Sequence, residues 1–200
     1  MASRVHESVH RSLVFDRRRS RLVASIATLL PTGANVLDIG CGNGEIGADL
    51  TALGHRVVGA EVLQRETCAV PSVLYDGDRL PFVSDSVDWA VLVDVLHHAP
   101  RPAQVVQEAL RVARRGLVVK DHLSERRFDD LTLSFMDWVG NRQFGVGRDG
   151  RYLSAADWSR LWRAAGVREE ERVDHLDLYP ALAKPFFERG LHFVARLEFE

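Results

Sequence analysis

Short apolar runs alternate with amphipathic stretches through the first 120 residues. The apolar runs predict five strands, at 35–39, 56–62, 72–75, 86–96 and 116–120. Apolar residues at helical spacing predict helices at 45–53 and about 102–113, and an N-terminal helical segment within residues 1–31. Strands that alternate with helices build βαβ units with right-handed crossovers, so this pattern predicts a parallel sheet.

The last third of the chain has a different pattern. The stretch "SAADWSRLWRAAG" (154–166) predicts a helix that begins with a capping box, Ser154 with Asp157, and ends at Gly166. The stretches at 168–179 and 191–200 alternate apolar and polar residues with period two, and a short segment joins them. Because a parallel crossover needs a helix, this pattern favours an antiparallel pair at one end of the sheet.

Composition narrows the class of protein. The 200 residues are 46% hydrophobic and 27% charged with a net charge of −2, which is typical of a soluble globular domain. Two cysteines suit neither a disulfide framework nor a metal quartet, and the first residues lack the apolar core of a signal peptide, so we expect a cytoplasmic protein. The charge balance demands neither a membrane nor a nucleic acid as partner. The arginines between 17 and 21 favour a solvated helix face over a phosphate-binding patch.

The segment "VLDIGCGNGEIG" (36–47) permits two interpretations. Counted from Gly42, it satisfies the G-x-G-x-x-G of dinucleotide-binding dehydrogenases, with Glu61 as the acidic residue about twenty positions on. Counted from Asp38, it is D-x-G-x-G-x-G. Two features count against the first interpretation. It extends the strand beyond Ile39, its last apolar residue, and it places the negative Asp38 near a ligand that carries two negative phosphates. We therefore favour the second.

The pattern from Asp38 resembles motif I of the class I S-adenosylmethionine-dependent methyltransferases. The resemblance extends to Glu61 at the end of the second strand, and to "YDGDRLPF" (75–82) and "LHHAP" (96–100), which are similar to the type 11 subgroup. It implies S-adenosylmethionine as the cofactor. It also implies an α/β, Rossmann-like fold: a seven-stranded, mostly parallel sheet of order 3-2-1-4-5-7-6, with the last strand antiparallel and helices on both faces.

The same resemblance implies the residues of the cofactor site. The glycines of motif I would let the backbone approach the cofactor without obstruction by a Cβ atom. Glu61 would bind the ribose hydroxyls, and Asp76 would face the adenine amino group. The full set of predicted cofactor contacts is Asp38, Gly40, Cys41, Gly42, Gly44, Glu61, Val62, Asp76, Gly77 and Asp94.

Polar residues follow the fourth and fifth predicted strands. They are Asp94, His97 and His98 after the fourth strand, and Lys120, Asp121 and His122 after the fifth. If these strands are neighbours, their ends face one pocket beside the methyl group, where His97, His98 or His122 is a candidate general base. A structural role for these histidines is the alternative. Adjacent histidines without a third ligand at suitable spacing predict no metal site.

Residues 121–153 are more than a simple strand-to-helix connection requires, and they predict an insertion that covers the substrate. Its stretch "LTLSFMDWVG" (131–140) has helical spacing, and the glycine-rich residues 141–152 are expected to be mobile. Met136, Trp138 and Phe144 would either line an apolar acceptor pocket or pack within the insertion.

These features predict a single methyltransferase domain over residues 1–200, monomeric or homodimeric, that acts on a small-molecule acceptor. Which acceptor atom is methylated, oxygen, nitrogen or carbon, stays open. A nucleic-acid methyltransferase would usually show an Asn/Asp-Pro-Pro-aromatic signature where this chain has "VDVLHHAP" (93–100). The alternatives are a non-catalytic protein with the same cofactor fold and, less favoured, an NAD-dependent dehydrogenase.

Overall fold

The computed structural model of the chain describes residues 2–141 and 151–200. Seven strands form one sheet in the order β3-β2-β1-β4-β5-β7-β6, in which β7 is antiparallel to β5 and β6 and the remaining pairs are parallel. This confirms the predicted order. The strands are β1 (Asn35–Ile39), β2 (Arg56–Glu61), β3 (Ser72–Leu74), β4 (Val87–Val93), β5 (Ala113–His122), β6 (Val167–Val173) and β7 (His192–Phe199).

Six helices are present in the described residues. They are α1 (Ala2–Leu29), α2 (Glu45–Ala52), α3 (Pro102–Val112), α4 (Asp129–Asn141), α5 (Ala155–Ala165) and α6 (Lys184–Phe187). The sequence predicts all but the one-turn α6, which is too short for helical periodicity to show. In these described ranges, no helix is both long and apolar enough to cross a membrane.

The core consists of two apolar layers, one on each face of the sheet. In β1, Leu37 and Ile39 belong to the layer that contains Trp158 and Trp162 of α5, while Val36 belongs to the opposite layer. That second layer includes Leu22, Ile26 and Leu29 of α1, and Leu50 of α2. Successive side chains of a strand point to opposite faces, so a parallel strand covered on both faces is apolar throughout.

The capping box predicted for α5 is confirmed. The Ser154 side chain accepts a hydrogen bond from the backbone N–H of Asp157, and the Asp157 carboxylate accepts one from the backbone N–H of Ser154. At the other end, Gly166 has φ +72°, a conformation that favours glycine and ends the helix. Trp158 Nε1 donates to the carbonyl of His122, which ties α5 to the end of β5.

The fifth strand differs most from its prediction. It is ten residues long, and Lys120, Asp121 and His122 pair within it with Val194, Phe193 and His192 of β7. The expectation that Asp121 and His122 follow the strand is therefore wrong, whereas Lys120 is already its last predicted residue. The antiparallel partner supplies backbone hydrogen bonds beyond the last apolar residue, so pairing rather than hydrophobicity sets where β5 ends.

Candidate functional site

A cavity of about 600 Å³ opens at the carboxyl ends of β1, β2, β3 and β4. Its wall contains the loop after β1, Glu61 and Val62 at the end of β2, and the turn that holds Asp76 and Gly77. In open parallel sheets, ligands bind at this edge because the loops that follow the strands diverge there.

The glycine loop exposes backbone to the cavity. The N–H groups of Gly40 and Cys41 donate to the carbonyl of Ala60 at 2.8 and 3.2 Å, and the Gly44 N–H donates to the carbonyl of Cys41. A Cβ atom on Gly40 would lie 2.6 Å from Val95 Cγ2. A Cβ atom on Gly44, whose φ is +72°, would lie 2.6 Å from the sulfur of Cys68 and 3.0 Å from a backbone nitrogen. The positive φ and the close neighbours of Gly40 and Gly44 therefore leave no room for a side chain at either position.

Glu61 organises this loop from the end of β2. Its Oε2 accepts the Gly42 N–H at 2.7 Å, and its Oε1 accepts the N–H groups of Val62 and Leu63 at 2.9 and 3.1 Å. A carboxylate has about four lone-pair positions, so one remains for a ligand hydroxyl. The position of Glu61 in the cavity wall fits the predicted ribose contact.

Asp76 lies in the turn after β3 and is exposed. Its Oδ1 accepts the N–H groups of Asp78 and Arg79, and these two bonds lower the pKa of the carboxyl group. Asp76 is therefore ionised at neutral pH, and a carboxylate accepts hydrogen bonds from an amino group. Cys41 and Gly77 also line the cavity, as predicted for cofactor contacts. Burial raises the pKa of the Cys41 thiol, which disfavours the reactive thiolate form.

Asp38 lies behind the glycine loop instead of in the cavity wall. Its side chain is buried, and its Oδ2 has no hydrogen-bond partner within the described residues. Burial, with a smaller effect of the Glu61 charge, raises the pKa of Asp38 to about 7. Its predicted contact with the cofactor is therefore at most an indirect one, through the loop that covers it.

The charges around the cavity suit a cationic ligand. Among the described residues, five acids line it, including Asp94, Glu61 and Asp76, against two arginines, Arg65 and Arg101. A pyrophosphate would meet this row of carboxylates unfavourably. A sulfonium with an ammonium group would be attracted by it.

The three candidate histidines lie in different environments. His98 lines the cavity, and burial lowers its pKa. His97 and His122 are buried behind the wall, so the expectation that all three line one cavity is wrong. His122 belongs to β5, and His97 is turned inward because its Nδ1 donates to Asp121 Oδ1 at 2.7 Å.

Behind the wall lies a group of buried charges. Asp94 has a positive φ of 56° and accepts a short hydrogen bond from Lys120, which is fully buried. Burial would raise the pKa of Asp94, but the charges of Lys120 and Arg18 outweigh it and hold the pKa well below its usual range. Asp94 is thus an ionised side chain shared between the cavity and the buried group.

Asp137, a member of this group, was not predicted as a site residue. Asp137 of α4 lies with Oδ2 3.4 Å from His97 Nε2 and Oδ1 3.9 Å from His122 Nε2, and it accepts a hydrogen bond from the Tyr152 hydroxyl. The helical periodicity of α4 places Asp137 on one turn with Met136 and Trp138, but no local pattern shows that this turn faces the ends of β4 and β5.

None of the described residues of the insertion lines the cavity. Neither Met136 nor Trp138 lines it, and Trp138 is exposed and close to the ring of Phe135. Phe144 and most of the glycine-rich stretch expected to be mobile lie outside the described residues. The acceptor pocket predicted from these residues is therefore not formed by Met136 and Trp138.

The arginines of α1 are paired with acids of the same chain. Arg17 and Arg21 contact Asp177, and Arg18 contacts Asp94. Arg19 contacts two acids of α2 and Asp16 of α1. These pairs neutralise the cluster and favour the solvated, ion-paired helix face over a phosphate-binding patch.

The chain matches the type 11 family of the methyltransferase domain over residues 37–119. It is 39% identical over 135 residues to a protein of Mycobacterium sp. (strain KMS) named as an uncharacterized methyltransferase, covering 63% of this chain and 48% of the relative. It is 30% identical over 122 residues to the bifunctional methionine biosynthesis protein MetXA/MetW of Rhodopirellula baltica, covering 53% of this chain and 20% of that protein. The chain thus spans less than half the length of these curated relatives.

Solved structures show the same fold at low sequence identity. An S-adenosylmethionine-dependent methyltransferase of Mesorhizobium loti has a TM-score of 0.63 and 16% identity, with 88% of this chain and 96% of that chain covered. The [4+2]-cyclase SpnF has a TM-score of 0.66 and 16% identity, with 90% of this chain and 80% of that chain covered. The sheet order, the glycine loop with Glu61 and the match over residues 37–119 together support a class I S-adenosylmethionine-dependent methyltransferase.

Proposed function

We propose that the chain transfers a methyl group from S-adenosylmethionine to a small-molecule acceptor. The observation that carries this proposal is one continuous cavity, which extends from the glycine loop and Glu61 to Asp94 and His98. When bound there, S-adenosylmethionine supplies an electrophilic methyl group on a positively charged sulfur. The carboxylates that line the cavity favour such a cation.

The size and charge of the cavity support a small acceptor. A volume of about 600 Å³ lies within the range of pockets for small molecules and cofactors. The pairing of the α1 arginines with acids of the same chain also leaves less free positive charge for a nucleic-acid backbone. Methyl transfer is an in-line displacement, so holding the acceptor in alignment supplies much of the catalysis.

His98 is our candidate for the residue that contacts the acceptor. Of the three predicted histidines, it is the one in the cavity wall, beside Asp94 and Val95. The prediction that a histidine acts as general base is therefore narrowed to His98, because His97 and His122 have no surface on the cavity. The alternative is that the protein works by positioning alone.

The test is a screen of small oxygen, nitrogen and carbon nucleophiles, with release of the demethylated cofactor as the signal. With an acceptor found, His98→Ala should lower turnover by roughly 10²–10⁴-fold if the imidazole accepts the proton, while cofactor affinity stays the same. The matched control is His175→Ala, an exposed histidine away from the cavity, which should retain full turnover.

Two outcomes would count against this proposal. Near-normal turnover in His98→Ala would remove the general base and leave positioning as the mechanism. Tight cofactor binding without release of product from any acceptor class would favour the non-catalytic cofactor-binding protein.

A further inference from the structure

Two histidines and two aspartates meet behind the cavity wall. We call Asp94, His97, His122 and Asp137 the Asp–His cluster. The ligand atoms of Asp94, His97 and His122 all lie within 4.8 Å of one another, and Asp137 of α4 lies against both imidazoles. The methyl transfer proposed above gives no role to this convergence.

Three separations inside the cluster are close to those of ligands around one ion. His122 Nε2 lies 3.2 Å from Asp94 Oδ1 and 3.9 Å from Asp137 Oδ1, and His97 Nε2 lies 3.4 Å from Asp137 Oδ2. Four tetrahedral ligands at about 2.0–2.2 Å from Zn²⁺ are separated from one another by about 3.3–3.6 Å. The three measured separations fall at or near that range.

With one proton on each imidazole, electron pairs inside the cluster would face each other. His97 Nδ1 donates to Asp121, so with one proton on the ring its Nε2 carries a lone pair. That Nε2 is fully buried and has no hydrogen-bond partner within the part of the chain that the structure describes. It is directed toward Asp137, whose carboxylate can only accept.

His122 has the same arrangement. His192 Nε2 donates to the carbonyl of Phe187 at 2.9 Å, which leaves its Nδ1 to accept from His122 Nδ1 at 3.0 Å. With one proton on each ring, the lone pair of His122 Nε2 therefore points at Asp94 and Asp137. Metal-bound histidines are typically oriented in this way, through a hydrogen bond from the second ring nitrogen.

We propose that Asp94, His97, His122 and Asp137 bind one divalent cation of the Zn²⁺ class. Two imidazoles with carboxylates suit zinc and related transition metals better than magnesium or calcium. The ion would connect α4, through Asp137, to the ends of β4 and β5. The third and fourth ligands come from distant parts of the chain, which is why the spacing of the adjacent histidines predicts no metal site.

The competing occupant is a proton on His97, which would bridge Asp121 and Asp137. Titration calorimetry with ZnCl₂ on the chelator-treated chain distinguishes a metal ion from this proton. The chain carries His6→Gln and His10→Gln, because these two N-terminal histidines are at helical spacing and could bind Zn²⁺ themselves. We expect one Zn²⁺ per chain, and visible ligand-field absorption of a tetrahedral site when Co²⁺ replaces it. Methyl transfer is not needed for this measurement, so the inference stands or fails independently of the proposed function.

The variants are chosen to separate ligation from folding. His97→Gln and His122→Gln should weaken Zn²⁺ binding by more than about 100-fold, since even outer partners of ligands contribute roughly 10–100-fold. Asp137→Asn, on α4 and outside the sheet, serves as a second test if a buried variant does not fold, and should weaken binding by about 10-fold or more. The matched control is His55→Gln, a buried histidine that precedes β2 at the opposite edge of the sheet, which should bind as the parent does.

Two results would overturn the proposal. One is the absence of stoichiometric binding of Zn²⁺ or Co²⁺ to the parent chain, which would leave the proton on His97 as the occupant. The other is parent-like affinity in folded His97→Gln, His122→Gln or Asp137→Asn, which would place any bound ion elsewhere.

Discussion

The two neighbouring parts of the sheet edge are built differently. At the ends of β1 and β2, the surface is mostly backbone, held by the Gly44 N–H and by the three amides that donate to Glu61. At the ends of β4 and β5, buried charged side chains lie behind the surface, among them Lys120 and Asp121. The comparison shows two ways to make a polar site: a glycine loop specified by local sequence, and a cluster specified by packing.

The difference is one of distance along the chain. The glycine loop and Glu61 are joined by a hydrogen bond that spans 19 residues within one βαβ unit. Behind the cavity wall, His97 contacts Asp121 across 24 residues of the chain, and His122 contacts His192 across 70. A variant in the cluster should therefore affect folding first, and a variant in the loop should affect ligand binding first.

The largest expected effect is the loss of stability in Asp121→Asn. The buried carboxylate accepts the Leu96 N–H at 3.1 Å and two donors at 2.7 Å, His97 Nδ1 and the His122 N–H. An amide group would leave the imidazole without its charged partner and turn an NH₂ toward a donor, so we expect a loss of about 3–5 kcal/mol in urea unfolding. In the control Asp174→Asn, an exposed ion pair with Arg172 is lost, and the change should stay within about 1 kcal/mol. Equal losses in the two variants would contradict the account.

A pair of glycines tests the loop. Gly44 and Gly33 have the same φ of +72°, but a Cβ atom on Gly33 meets nothing within 4 Å, whereas one on Gly44 meets Cys68 at 2.6 Å. Gly33→Ala should cost about 1–2 kcal/mol from backbone strain alone and preserve cofactor affinity. Gly44→Ala should cost about 2–4 kcal/mol and lower that affinity, because overpacking is added. Calorimetric S-adenosylmethionine binding and urea unfolding measure the two effects, and parallel behaviour of the pair would contradict the role of the crowded loop.

Glu61 tests the ligand side of the same loop. Glu61→Ala should weaken S-adenosylmethionine binding by roughly 1–3 kcal/mol, the contribution of charge-assisted hydrogen bonds to hydroxyls. Glu61→Gln should lose less, since its amide oxygen still accepts. The control Glu66→Ala, an exposed acid outside the cavity wall, should bind the cofactor as wild type does. Unchanged affinity in Glu61→Ala would remove this residue from the cofactor site.

The smallest expected effect is a pH dependence that arises behind the loop. Burial raises the pKa of Asp38 to about 7, above that of an unfolded aspartate, so the folded state retains a proton that the unfolded state releases. Stability should therefore fall as pH rises from about 4 to about 7. Asp38→Asn should remove this part of the slope, roughly 1–2 kcal/mol between pH ~5 and pH ~7 in urea unfolding. Identical slopes for the variant and wild type would show that Asp38 is ionised in the folded protein.

What the sequence predicts follows the same division. Helical and period-two patterns predict the elements and the antiparallel pair, and the spacing of the glycines with Glu61 predicts the cofactor loop, because each of these signals is local. The strand order comes from the family resemblance that the glycine loop carries. The burial of Lys120 and His122 is not predictable in this way, since β7 pairs with them from 70 or more residues away. Asp137 is missed for the same reason: its partners, His97 and His122, come from other elements.

The most direct test of the central claim is calorimetric titration of the wild-type chain with S-adenosylmethionine and NAD in parallel. We predict a single site that binds either S-adenosylmethionine or its demethylated product, in competition with each other. We predict no saturable binding of NAD. The carboxylates of Glu61, Asp76 and Asp94 around the cavity account for this preference. Saturable binding of NAD with no binding of S-adenosylmethionine would contradict the assignment and return the loop to its dehydrogenase interpretation.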